Sequence, residues 1–91
     1  MTITVEFYGL ARSRVGAAVA TVDTPTGSSD LGRVLRELAA RYPGLAACCQ
    51  GNGQLRAEYT ANIGGRQFVR DPATPLRAGD ALLILSADAG G

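Results

Sequence analysis

The sequence has no histidine and no tryptophan, and lysine is absent too, so all nine of its basic residues are arginines. Without histidine the chain lacks the commonest general base and the commonest metal ligand. The absence of lysine leaves no side-chain amine to accept an acyl group, and with abundant alanine and glycine it reads most simply as the codon bias of a GC-rich genome. Acid and base nearly cancel, at a formal net charge of +1. That excludes the broad electrostatic footprint expected of a nucleic-acid or anionic-lipid binder. No hydrophobic run approaches membrane-spanning length, and MTITVEFYG alternates from the start instead of opening basic and then apolar like a secretory leader. The expectation is a cytoplasmic protein.

Cysteine is nearly absent as well. The only two, Cys48 and Cys49, are neighbours. A trans peptide holds their Cα atoms about 3.8 Å apart, below the usual disulfide range of about 4.4–6.8 Å. They cannot staple the fold, and two adjacent thiols without a second cluster are a weak metal site. They read as small, partly buried residues following a helix, with a redox or sulfur-relay role as the alternative. No metal is expected.

What is present fits one small domain of 91 residues, large enough for a single core and too small for much enclosed volume. Ile3, Val5 and Phe7 alternate with Thr4, Glu6 and Tyr8, the signature of a half-buried strand. Gly9 and ARSR break it, and Ala17 to Asp23 predicts a second strand that completes a hairpin. TPTGSS, Thr24 to Ser29, is turn chemistry throughout. Leu31, Val34, Leu35, Leu38, Ala39 and Tyr42 then recur at spacings of three and four, predicting an amphipathic helix. Asp30 is placed to cap it, and Pro43-Gly44 to end it. Leu45 to Gln54 reads as loop, Leu55 to Ile63 as a strand, and Gly64-Gly65 as a tight turn into a short strand, Arg66 to Val69. After DPATP, the segment PLRAGD turns the chain into a continuously apolar final strand, Ala81 to Leu85, with Leu76 as a core anchor. Such a strand is either covered on both faces or has a face waiting for a partner.

The order predicts an α+β domain, residues 1–85, followed by a flexible tail, 86–91, that ends in Gly90-Gly91. The internal glycine pair is explained by a turn; the terminal pair has no structural explanation. VEFYGLAR, DLGRVLRELAARYPGL, PLRAGDALLIL and the terminal Gly-Gly together resemble the ThiS/MoaD sulfur-carrier family, over essentially the whole chain. The resemblance implies a ubiquitin-like β-grasp fold: a mixed sheet of four to five strands with one main helix across one face.

It also implies a function. The chain would be a protein co-substrate, not an enzyme, and would hold no cofactor. An ATP-using adenylating and sulfurtransferase partner of the ThiF/MoeB type would adenylate the carboxylate of Gly91, with Gly90 as its required neighbour. Sulfur would then replace AMP to give a thiocarboxylate, consumed by a downstream sulfur-accepting synthase. The sulfur could go to a cofactor, to cysteine or to a secondary metabolite.

For docking, Leu83 and Leu85 are expected on the sheet face away from the helix, with Tyr59 and Ala61 added by the neighbouring strand. Arg12, Arg14 and Arg66 are candidates for the rim. Six extended tail residues would reach roughly 20 Å. Family members that form the small subunit of molybdopterin synthase often carry a Pro-Pro-like stretch before the glycines, where this chain has Ser86-Ala87-Asp88-Ala89. That subunit, a protein modifier conjugated through Gly91, and a binding module with an idle tail are the competing readings.

Overall fold

The computed structural model describes residues 1–51 and 53–87. Its frame is a five-stranded mixed sheet in the order β2-β1-β7-β4-β5. These strands are β1 (Thr2–Phe7), β2 (Val19–Asp23), β4 (Tyr59–Ile63), β5 (Gln67–Val69) and β7 (Ala81–Ser86). A second, two-stranded sheet pairs β3 (Ser28–Asp30) with β6 (Pro75–Arg77). Three helices complete the chain: α1 (Gly9–Val15), α2 (Leu31–Arg41) and α3 (Pro43–Ala46). The fold is the expected α+β β-grasp.

The alternation of β1 does what its period predicts: Ile3, Val5 and Phe7 are essentially fully buried. They meet Leu82 and Ile84 of β7 and the apolar stripe of α2, in which Leu31, Val34, Leu35 and Leu38 are completely buried. Asp30 caps α2 as expected, its carboxylate accepting the Arg33 N–H at 2.8 Å. At the centre, β7 runs parallel to β1 (Val5 opposite Leu82) and antiparallel to β4 (Ala61 opposite Ile84).

Four segments differ from the sequence reading. GLARSRV is a helix, α1, where a break was expected. Its short stripe is Ala11 and Val15, both buried, and Gly16 stops it in the left-handed region at φ 81°. Between α2 and the loop lies α3, a single turn with Pro43 at its start. The strand expected over Leu55 to Ile63 begins only at Tyr59; Leu55 makes an isolated bridge to Cys49. The end of TPTGSS and the start of PLRAGD pair as β3 and β6. This pair carries no hydrophobic alternation to betray it, and backbone hydrogen bonds such as Ala78 N–H to the Gly27 carbonyl extend it. Leu76 is fully buried, as expected of an anchor. The Gly64-Gly65 turn is also as read, both residues having positive φ.

α3 packs against the end of α1 so closely that a Cβ on Gly44 would lie 1.7 Å from the Arg14 carbonyl oxygen. Backbone cannot yield as a side chain can, so Gly44→Ala should destabilise the domain by about 3 kcal/mol or more, at the upper end of overpacking effects. Chemical denaturation of the variant beside Gly16→Ala, whose Cβ would meet no atom within 4 Å, checks this: the Gly44 variant should lose more.

Candidate docking face and tail root

The site has two parts, the outer face of the sheet and the place where β7 hands over to the chain end. Strand parity puts Leu82 and Ile84 in the core and turns Leu83 and Leu85 outward, where both are half-buried. Register then assembles the outer face in rows. One row runs Val19, Glu6, Leu83, Asn62, Phe68 across five strands. Beside it, Leu85 faces Thr60, and Tyr8, whose N–H donates to the Ile84 carbonyl, continues β1 next to Leu85. Phe68 and Val19 are each 54% exposed and Tyr8 44%. The Tyr8 hydroxyl donates to the Glu6 carboxylate. That hydrogen bond, more than slight desolvation or the Glu6 charge, raises the tyrosine pKa.

Tyr59 and Ala61 are not on this face. Ala61 lies opposite Ile84 and Tyr59 opposite Ser86, so both point to the core, and Tyr59 is only 4% exposed. YTANI itself alternates, with Tyr59, Ala61 and Ile63 as its apolar set, so period two already placed them inward. The outward residues are Thr60 and Asn62, small enough to be buried among their large neighbours, at 8% and 5% exposure. Oδ1 of Asn62 is buried without a hydrogen-bond partner.

The three arginines named for the rim are exposed but do not gather at one edge: Arg12 and Arg14 share α1, and Arg66 stands far from them. Arg12 lies on α1, which packs against β7 at the end where Tyr8 is tied to Ile84. Arg66 lies in the β4–β5 turn, whose Gly64 N–H donates to the Ala81 carbonyl at the opposite end of β7. Its guanidinium folds back over Gly64.

At the tail root, Ser86 still belongs to β7, so the expected boundary before it falls inside a strand. The Ala87 N–H also remains fastened, donating to the Glu58 carbonyl at 2.9 Å. Gly90 and Gly91, on which the chemistry was read, lie outside the described residues.

The cysteines sit in and at the edge of the core, Cys48 buried and Cys49 half-buried. The Cys48 thiol donates to the Gly44 carbonyl at 3.5 Å. Burial first, and then contact with Cys48, raise the Tyr59 pKa. Burial and then Cys48 likewise push the Cys49 thiol up, against a smaller opposing pull from Arg56. Among the described residues no three His, Cys, Asp or Glu side chains converge to hold a metal ion.

In sequence, no protein-family model and no curated protein matches the chain. Solved structures do. Small archaeal modifier protein 1 from Haloferax volcanii superposes with a TM-score of 0.78 at 18% identity, over all of both chains. The HVO 2177 protein of the same organism gives 0.75 at 29% identity, covering all of this chain and 87% of that one. CysO, in its complex with BexX from Amycolatopsis orientalis, gives 0.69 at 21% identity over 98% of this chain and 99% of the other. The chain shares the β-grasp fold of these structures.

The raised Cys49 pKa keeps that residue in its unreactive thiol form at neutral pH. Alkylation by iodoacetamide near pH 7.5 should therefore run several-fold slower at Cys49 than at a cysteine in an unfolded peptide, and accelerate as pH rises. Peptide mapping of the time course checks it.

Proposed function

We propose that the chain is a sulfur carrier: a protein co-substrate whose Gly91 carboxylate is adenylated and then converted to a thiocarboxylate that donates sulfur in a biosynthetic pathway. The observation that carries this reading is the union of the β-grasp fold with a central strand, β7, that leads directly into a sequence ending Gly90-Gly91. A free carboxylate is a poor acyl donor because oxide is a poor leaving group. Transfer of AMP from ATP, with loss of pyrophosphate, gives a mixed anhydride, and a sulfur nucleophile then expels AMP. The chain has no histidine to conduct such chemistry, so the catalytic groups and the ATP belong to an activating enzyme of the ThiF/MoeB type. Glycine at both final positions lets the backbone pass close to the walls of that enzyme's channel.

The outer face is the natural docking surface for this enzyme and for a downstream sulfur-accepting synthase. Leu83, Leu85, Phe68 and Val19 offer apolar area, and Tyr8 adds a polar tip. The CysO structure, determined in complex with BexX, supports engagement of such a fold by a protein partner. The likeness to small archaeal modifier protein 1 favours one second reading, a protein modifier conjugated through Gly91.

Incubating the purified chain with the activating enzyme of its own genome, ATP and a sulfide source should give the oxygen-to-sulfur mass gain in the intact protein. Deleting Gly90-Gly91 should abolish it. Lysine-linked adducts of higher mass in cells, in place of that gain, would support the modifier. Leu85→Asp should raise the KM of activation about tenfold or more, since a charge in the apolar centre of an interface costs roughly 1.4 kcal/mol or above. Its kcat should be unchanged.

A further inference from the structure

Arg70 stands just past β5, outside the motifs that suggested the function. Pairing between β4 and β5 ends at Ala61–Val69, whereas β4 and β7 stay paired two residues further, to Tyr59–Ser86. The Glu58 carbonyl points to β7, where it accepts from Ala87. Alternation along the strand therefore turns the Tyr59 carbonyl to the other side, where β5 has no backbone left to pair with it. Arg70 fills that place. One guanidinium nitrogen, Nη1, donates to the Tyr59 carbonyl at 2.5 Å. The other, Nη2, donates to the carbonyls of Leu55 at 3.0 Å and Arg56 at 3.2 Å. Arg70 thus holds the backbone on both sides of Glu58, adding to the Leu55–Cys49 bridge and to the backbone bonds Arg56 N–H to the Cys48 carbonyl and Tyr59 N–H to the Arg56 carbonyl, and Glu58 holds Ala87.

We infer that Arg70 is a positioning residue for the reactive chain end: its guanidinium fixes the 55–59 segment, and through the Glu58 carbonyl it fixes the point and direction in which the chain leaves the sheet. This rests on the sulfur-carrier reading for its consequence in catalysis, but not for its structural part. A planar five-donor group suits three carbonyls that a lysine ammonium could not span. Loss of the clamp leaves the docking face and Gly91 untouched and lowers the fraction of molecules whose chain end is correctly directed. Apparent affinity falls by that fraction, so KM changes and kcat does not.

The test compares Arg70→Met and Arg70→Lys with the wild type by amide hydrogen exchange and by activation kinetics with ATP and the activating enzyme. In Arg70→Met the Ala87 amide should lose most of its protection while those of Leu82 and Ile84 keep theirs, and KM should rise roughly three- to tenfold at constant kcat. Arg70→Lys should fall between, and it serves in both assays should the methionine variant fold poorly. Unchanged Ala87 protection, or a loss shared equally by Leu82 and Ile84, overturns the inference, as does a fall in kcat at constant KM. Failure of the wild-type chain to be activated at all overturns the sulfur-carrier reading instead, and the exchange measurement still decides the role of Arg70.

Discussion

The parallel pairing of β1 with β7 governs this molecule. Parallel neighbours cannot be joined by a short turn, so the chain between Phe7 and Ala81 makes a long excursion before it returns beside β1. The excursion supplies α2 and α3 to cover one face, and β4 and β5 to extend the sheet beyond β7. The last strand is therefore not an edge. It is the middle of the sheet, held by β1 on one side and β4 on the other. The chain end leaves from the most firmly held strand, between α1 and the Glu58–Tyr59 segment.

The same pairing explains why the final strand is apolar at every position from Ala81 to Leu85. Leu82 and Ile84 face the core because α2 lies over them. Leu83 and Leu85 face outward beside small residues, Thr60 and Asn62, and larger exposed ones, Phe68, Val19 and Tyr8. Burying polar Thr60 and Asn62 among apolar neighbours costs stability wherever a hydrogen bond is missing, about 1–3 kcal/mol for an unpartnered group. The buried, unpartnered Oδ1 of Asn62 carries such a cost.

What could be read from the sequence was whatever repeats. Period two gave β1, and period three to four gave α2 with its Asp30 cap. The turn glycines and the Leu76 anchor also declared themselves. Elements too short to complete a period were missed: the single stripe of α1, one turn of α3, and the three-residue strands β3 and β6. For α1 a signal existed in the spacing of Ala11 and Val15 followed by Gly16. For β3 and β6 there was none, because their pairing is a matter of backbone and long-range closure. Tyr59 was misplaced for another reason. An aromatic near a proposed interface invites assignment to it, but the alternation in YTANI had already turned it inward. Arg70 could not be found at all, since three carbonyl contacts made across the chain leave no pattern in the sequence.

The geometry at the tail root also revises the reach available to the chain end. Six free residues would extend roughly 20 Å, but the sheet retains Ser86 and fastens Ala87. The four residues beyond Ala87 have a contour of at most about 14 Å. A shorter lever makes direction matter more. With about 20 Å of free chain, an error in the starting angle could be absorbed along the way. On the sulfur-carrier proposal, a reach of about 14 Å puts the partner's active site close to the docked sheet, and the first fixed bond before the chain end sets its starting direction. The bond is the one from Ala87 to Glu58, and the segment that carries Glu58 is held by Arg70. On that proposal, an interaction far from any reactive atom helps direct the chain end.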